Sequence, residues 1–270
     1  MQPASVSPEK DFPWWLVAES AIALAIAVAI AASDLYAQVF AIVARGVGIT
    51  VFVTLVSFAI ASALGLGLAL MALSGSVILR QTARFYVEII RGVPILVLLF
   101  YIAFVGAPGF VALWNLITAP LQQAGLTGEL LVRDVSLLWR AILALTIGYS
   151  AFIAEVFRAG IQSVDKGQVE AAKALGLTRL QRFRLIVLPQ ALRTILPPLG
   201  NDFVALIKDS SLVSVLGVAD ITQMGKVYAA GSFRFFETYS IVAYIYLLLT
   251  VGLSLLLRRL ERHMRKEREA

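Results

Sequence analysis

The 270-residue sequence contains no cysteine and a single histidine, His263, which lies in the basic C-terminal stretch. The first absence excludes disulfides, thiolate metal sites and cysteine nucleophiles. A single histidine cannot build a histidine-based metal centre, and its position in the basic tail excludes a catalytic triad. The nearest approach to a Walker phosphate loop is DITQMGKV at 220–227, which lacks the first glycine and the final Ser or Thr. We therefore expect no catalytic residue, no metal and no cofactor in this chain.

Charged residues are also scarce, at 15% of the chain, whereas 60% of the residues are hydrophobic and the mean hydropathy is +0.86. Soluble domains are about 45–50% apolar, so this excess predicts an integral membrane protein. The apolar runs are continuous, which favours helices over the alternating strands of a barrel. Six membrane-spanning helices are predicted, at roughly 14–32, 46–74, 88–106, 137–157, 193–216 and 238–257.

The basic residues are distributed unevenly between the segments that join these spans. Of the 23 Lys and Arg residues, 17 lie in 1–13, 75–91, 158–193 and the C-terminal tail. The positive-inside rule places these segments and both termini in the cytoplasm, with 107–136 and 217–236 outside. The net charge of +6 is then explained by topology and by contact with anionic lipid rather than by nucleic-acid binding.

The first span has a competing interpretation as a cleaved signal peptide, because its Ala-rich run ends in an Ala29-Ile30-Ala31 pattern. A single lysine among acidic residues is a poor signal-peptide start, so a retained span is favoured. The span at 46–74 carries two stripes of small residues that would allow close helix contact, Ala59/Ala63/Gly67 and Ala61/Gly65/Ala69. The Pro- and Gly-containing segment 107–136 is interpreted as an outer loop, either alone or with a short interfacial helix.

A polar stretch over 165–189 interrupts the apolar runs. Asp165 and Thr178 are candidate helix N-caps, each with a glutamine three residues later. Gly176 suits the left-handed position that ends a helix, and Pro189 is expected to end the second helix. The pattern predicts a helix, a glycine turn and a second helix on the cytoplasmic surface. By itself it fits equally a docking element for a soluble partner and an amphipathic linker at the membrane surface.

The same stretch matches the EAA signature, E-A-A-x3-G-x9-I-x-L-P, of the membrane subunits of bacterial ABC importers. The matching positions are Glu170, Ala171, Ala172, Gly176, Ile186, Leu188 and Pro189. Three other stretches, VEIIRGVPILVLLF, GYSAFIAEVFRAGI and LPPLGNDFVALIKDSSLVSVLG, resemble the polar amino acid permeases that serve histidine, glutamine, glutamate and arginine uptake. The resemblance covers roughly residues 45–260.

This resemblance implies an all-α, polytopic membrane protein with the five-helix core of a type I ABC importer. The N-terminal span is then additional, which divides the chain into 1–44, a transmembrane domain at 45–260 containing the coupling loop 165–189, and a basic tail at 261–270. The loop would insert into a cleft of a separate ATPase subunit, which would bind the ATP. The implied function is the permease subunit of a polar amino acid importer in the bacterial inner membrane.

The resemblance also implies partners: two ATPase subunits, a second permease chain (identical or related), an extracytoplasmic amino-acid-binding protein, the amino acid itself and membrane lipids. The chain would be a transport subunit and not an enzyme. The alternatives are an ABC importer for another small polar solute, a non-transporting membrane scaffold, and a stand-alone ion-coupled carrier that titrates Glu155 and Asp209.

Polar residues inside the spans are costly and are treated as candidates for the substrate pathway. Helical spacing places Asn201, Lys208 and Ser211 on one face of the fifth span, which Pro197-Pro198 is expected to restart. Asp202 and Asp209 form the neighbouring stripe. Glu155 and Arg158 are spaced for an ion pair, as are Glu88 and Arg91. A zwitterionic amino acid needs an acidic and a basic contact, which Glu155, Asp202, Asp209 and Lys208 could provide.

Overall fold

The computed structural model describes residues 14–266, which form helices joined by short turns. The helices are α1 (Trp14–Ala32), α2 (Asp34–Val43), α3 (Val47–Ala72), α4 (Val77–Gly92), α5 (Ile95–Tyr101), α6 (Ala107–Gln123), α7 (Leu137–Gln162), α8 (Lys166–Ala174), α9 (Arg179–Arg182), α10 (Leu188–Asp209), α11 (Ile221–Ser232) and α12 (Phe235–Lys266). The all-helical architecture predicted from the sequence is confirmed.

Four helical stretches among residues 14–266 are long and apolar enough to cross a bilayer: Asp34–Ala72, Ile95–Gln123, Leu137–Gln162 and Phe235–Arg259. The apolar part of α1, Leu16–Ala32, is shorter. The sequence also predicted a span at 193–216, but α10 is not in this set. The composition of α10 is more polar than that of a helix that faces lipid. This helix packs against α7 and α12.

The predicted span at 88–106 is wrong in its bounds. Pro94 holds Val93 in an extended conformation (φ −104°, ψ 129°), so α4 ends at Gly92 and the apolar helix begins at Ile95. That helix then continues through a π turn over 102–106 and through α6 to Gln123. The widened turn precedes Pro108, which lies in the first turn of α6 and does not end the helix. Much of the predicted outer loop 107–136 is therefore helical.

The core is built around α7, in which 67% of the most apolar stretch is buried, against 28% for the stretch containing α3. The two helices pack along each other through one of the two small-residue stripes, Ala61/Gly65/Ala69. A Cβ atom at Gly65 would lie 3.0 Å from the carbonyl oxygen of Ser150, so only glycine permits this approach. The other stripe, Ala59/Ala63/Gly67, is exposed in the single chain.

The N-terminal helices form a second apolar cluster with α11 and α12. Val39 and Val43 of α2 are fully buried against Ile221 and Ile241, and α1 adds partly buried side chains such as Ile26. The N-terminal span thus packs on the transmembrane domain as part of one helical body.

Candidate functional site

Of the predicted helix–turn–helix over 165–189, the first helix, the glycine turn and the start of the second helix are present. The Asp165 side chain accepts a hydrogen bond from the Gln168 backbone N–H at 3.2 Å and caps α8. Gly176 has a φ of +80°, as expected for the residue that ends this helix. Thr178 and Gln181 form a capping box at the start of α9. The local sequence signals for caps and turn are therefore confirmed.

Pro189 does not end the second helix, contrary to the prediction. A π turn over 183–187 follows α9, and Pro189 then lies in the first turn of α10, where its missing N–H is tolerated. Pro197 and Pro198 lie inside α10 and do not restart it either. The segment 165–189 therefore continues through helical backbone into the helix that carries Lys208.

The inner side of this loop is fixed to the ends of α7 and α10. Ala172 of the EAA signature is 4% exposed. Val169 and Val187 pack with Val164 and Ile195 in a small apolar cluster. The Gln190 amide donates to the Gln168 side-chain oxygen at 2.6 Å, which joins the first helix of the loop to α10. The first helix of this segment is therefore joined to α10 by a side-chain contact as well as by the chain itself.

The outer side of the loop is exposed. Glu170, Ala171, Gly176 and Pro189 are exposed, while Ile186 and Leu188 are partly covered. Three leucines beside them are among the most exposed apolar side chains of the chain, with exposed fractions of 80% for Leu175, 64% for Leu180 and 63% for Leu185. Surface leucines that alternate with Lys173 and Arg179 are suited to a groove with apolar and acidic walls.

The predicted polar residues of α10 and of the turn that follows it do not form one site. Lys208 and Ser211 line a cavity of about 460 Å³, together with Thr222 of α11 and Tyr246 and Thr250 of α12. Among the described side chains, at 14 and 16–259, Lys208 makes no ion pair, so neither Glu155 nor Asp202 neutralises it. A lysine that lines a cavity of hydroxyl-bearing and apolar side chains and has no ion-pair partner there can attract an anionic group of a solute.

The two aspartates of α10 point elsewhere. Asp209 accepts a hydrogen bond from the Tyr149 hydroxyl of α7 at 2.7 Å. Asp202 is partly buried, and its Oδ2 atom is buried without a hydrogen-bond partner among the described residues. Asn201 is exposed in the single chain. Asp209 therefore ties α10 to α7, while Asp202 retains an unsatisfied acceptor.

The predicted ion pair between Glu155 and Arg158 is present at 2.6 Å, with a second hydrogen bond from Arg158 Nε at 3.0 Å. The predicted pair between Glu88 and Arg91 is not formed. The Arg91 guanidinium instead lies 5.7 Å from the centroid of the Phe152 ring, at cation–π distance. Because α4 ends at Gly92, Arg91 is in its last turn and reaches α7 rather than back along its own helix.

A buried polar network that the sequence did not predict lies beside the Lys208 cavity. Asp220 is 0% exposed; its Oδ1 atom accepts from the Gln223 N–H at 2.8 Å and its Oδ2 atom accepts from the Tyr246 hydroxyl at 3.1 Å. Tyr246 also lies 3.1 Å from the Thr222 hydroxyl. Asp220 with Gln223 three residues later is an N-cap signal, which could have located this helix start.

A second missed feature is Arg140, which is 8% exposed. Its Nε atom donates to the Val135 carbonyl at 2.8 Å, and Nη1 donates to the Ala103 carbonyl at 3.1 Å. Nη2 donates to the Val132 carbonyl. A basic residue at the start of a span normally indicates the interface, whereas this one joins the turn before α7 to the π turn at 102–106.

Residues 61–266 match the family model described as binding-protein-dependent transport system inner membrane component. The probable amino-acid permease protein YxeN of Bacillus subtilis (strain 168) is 38% identical over 218 residues, 81% of this chain and 89% of that protein. The glutamine transport system permease protein GlnP of Escherichia coli (strain K12) is 36% identical over 221 residues, 82% of this chain and 92% of that protein.

Solved structures agree with these relatives. The crystal structure of an amino acid ABC transporter with histidines contains a chain that is 36% identical, with a TM-score of 0.68, and the match covers 84% of this chain and 95% of that one. The methionine ABC transporter MetNI, at 21% identity and a TM-score of 0.62 over 86% of this chain and 98% of that one, shares the fold.

A component of this kind is a multi-pass inner membrane protein that works with an ATPase and a binding protein and is not itself the ATPase. The stand-alone carrier and the scaffold are set aside on this ground. The chain belongs to the binding-protein-dependent transport system inner membrane components and, among them, to the polar amino acid ABC transporter permeases.

Proposed function

We propose that this permease moves a polar amino acid into the cell and that loop 165–189 couples the movement to ATP hydrolysis on a partner subunit. The substrate class is supported by the amino-acid and glutamine permeases to which the chain is similar. One observation carries the coupling role. The loop exposes Glu170 and three leucines on one side, while Ala172 is buried and the Gln168–Gln190 hydrogen bond joins the other side to α10.

The pathway is proposed to pass the cavity at Lys208. Its ammonium group attracts the carboxylate of the amino acid, and the hydroxyls of Ser211, Thr222, Tyr246 and Thr250 surround the same space. Asp209 holds α10 against α7 through Tyr149 and does not contact the substrate. Asn201 and Asp202 lie about two turns earlier on α10 and are proposed to contact a second permease chain or the hydrated path between the two chains.

A second permease chain is part of the proposal, because one chain leaves polar atoms such as Asp202 Oδ2 unsatisfied and one stripe of small residues exposed. The second chain is identical or related, and two ATPase subunits and one amino-acid-binding protein complete the importer. Both termini are proposed to be cytoplasmic on the basis of the 17 basic residues that share their side. Residues 1–44, 45–260 and 261–270 are then the N-terminal segment, the transport domain and the basic tail.

The experiment is uptake by the purified whole complex in proteoliposomes, with binding protein outside and ATP inside. We expect ATP-dependent uptake of at least one of glutamine, histidine, glutamate and arginine. The ATP-free complex is the control. Uptake of another polar solute, with none of these amino acids transported or competing, would favour the alternative of an importer with a different substrate.

A further inference from the structure

A second cavity, of about 360 Å³, lies between α3, α4 and α7 and shares no lining residue with the cavity at Lys208. Its charged lining consists of Arg84 and Glu88 of α4 and Glu155 and Arg158 of α7. Ala72 and Gln162, the last residues of α3 and α7, also line it. It therefore lies at the ends of these helices that face the cytoplasm in the proposed topology.

The two charges on the α7 side already satisfy each other. Arg158 donates from Nε and Nη2 to the two carboxylate oxygens of Glu155, at 3.0 and 2.6 Å. Its remaining terminal nitrogen, Nη1, donates to the Gln162 side-chain oxygen at 2.8 Å. This bidentate pair forms a neutral, fixed wall of the cavity.

The two charges on the α4 side have no such partner. Neither Arg84 nor Glu88 takes part in an ion pair or side-chain hydrogen bond among the side chains that the structure describes, at 14 and 16–259, and both are exposed. They lie four residues apart on one face of the helix, about 5–6 Å between Cβ atoms. Arg precedes Glu, which is the less favourable order for an intrahelical pair. Two free charges of opposite sign thus face one polar cavity.

A free cation and a free anion side by side complement a small molecule in which a carboxylate and an ammonium group are bonded to the same carbon atom. We propose that this cavity is a cytoplasmic amino-acid site, in which the Arg84 guanidinium binds the α-carboxylate and the Glu88 carboxylate binds the α-ammonium group. An arginine binds a carboxylate with two parallel hydrogen bonds, which gives the site its orientation. The proposal rests on the proposed function, because it takes a released substrate molecule as the ligand.

The position of the site gives it a consequence for transport. Only Val93 and Pro94 separate α4 from the spanning helix that begins at Ile95. An amino acid held between α4 and α7 would oppose any change in their separation, and with it a movement of the inner end of that spanning helix. Occupancy from the cytoplasm is therefore expected to slow further uptake.

The test is equilibrium binding of radiolabelled L-glutamine and L-histidine to the whole complex in nanodiscs without binding protein. It is done in a Lys208→Met background, so that the other cavity does not contribute. We expect saturable binding that Arg84→Gln and Glu88→Gln each weaken about tenfold or more, since each removes a charge-assisted hydrogen bond. Arg80→Gln is the matched control: it neutralises a charge on the same helix, but Arg80 donates to the carbonyls of Ser74 and Gly75 and does not line the cavity.

Equal binding by the Arg84, Glu88 and Arg80 variants would overturn the proposal. So would the absence of amino-acid binding together with phosphatidylethanolamine that co-purifies with the wild-type complex and is lost in the Arg84 and Glu88 variants, which would make this a lipid headgroup site. Uptake by the wild-type complex is measured separately. Normal amino-acid uptake with no Arg84-dependent binding contradicts this inference alone, whereas absent uptake contradicts the proposed function.

Discussion

Replacement of Gly176 by valine is expected to uncouple the permease from its ATPase while leaving the membrane helices intact. Gly176 has a φ of +80°, a conformation that L residues with a Cβ atom adopt at a cost of about 1–2 kcal/mol. A β-branched residue is among the least tolerated there. Apart from Gly176 and its two chain neighbours, no described residue has an atom within 4 Å of the position that a Cβ atom would take, so the cost arises from the backbone alone.

The consequence is a change in the turn between α8 and α9, which sets the direction of the two exposed helices. A cost of about 1–2 kcal/mol corresponds to about a 5–30-fold loss of the native turn. Gly176→Asn is the matched variant, because asparagine also adds a side chain but tolerates the left-handed conformation. Gly231→Val is the control for the substitution itself, since Gly231 lies in α11, has open space around it and no positive φ.

The assay is the affinity of the purified permease for its ATPase, followed by substrate-stimulated ATP hydrolysis in proteoliposomes. We expect the Gly176→Val variant to lose about 5–30-fold in affinity, and the Gly176→Asn and Gly231→Val variants to stay near wild type. Equal losses for valine and asparagine would show that bulk at the contact, not backbone strain, is responsible. Normal coupling in the valine variant would remove the turn from the mechanism.

Three further changes test the other parts of the proposal. Glu170→Lys reverses a charge on the exposed side of the loop and is expected to reduce ATPase association with no loss of membrane insertion; normal ATP hydrolysis would contradict this. Lys208→Met removes the cation of the pathway cavity and is expected to give a normally assembled complex with at least tenfold weaker uptake and altered substrate preference; wild-type uptake would refute the pathway role. In whole cells, a membrane-impermeant thiol reagent is expected to label Gly128→Cys, on the outer side, but not Lys173→Cys, on the cytoplasmic side. The chain has no native cysteine that would react in their place. The reverse labelling pattern would invert the topology.

The sequence predicted best where a structural signal is local. The caps at Asp165 and Thr178 and the left-handed glycine at Gly176 each depend on a few neighbouring residues, and each is present. Whether a proline ends a helix or lies in its first turn was predicted less well. Pro94 ends a helix, whereas Pro108 and Pro189 lie in first turns that follow π turns. The difference arises from the π turn that precedes Pro108 and Pro189, and the local sequence gives no signal for a π turn.

The contacts between helices could not be predicted from the sequence. The two small-residue stripes of α3 look alike, and only the packing on α7 distinguishes Gly65 from Gly67. Lys208 and Asp209 are adjacent in the sequence but face α12 and α7 respectively. The partner of each polar side chain depends on helix rotations fixed by the whole bundle.

The continuity of the helical backbone between the segment 165–189 and α10 restricts which insertions and deletions the chain can accept. Helical backbone runs from Arg179 through the π turn to Asp209, so the direction in which Lys208 points is fixed by the number of residues between them. One inserted or deleted residue in this stretch would rotate everything beyond it by about 100° and shift it by about 1.5 Å. Insertions and deletions should therefore be tolerated in the turn at 124–131 but not between 179 and 209.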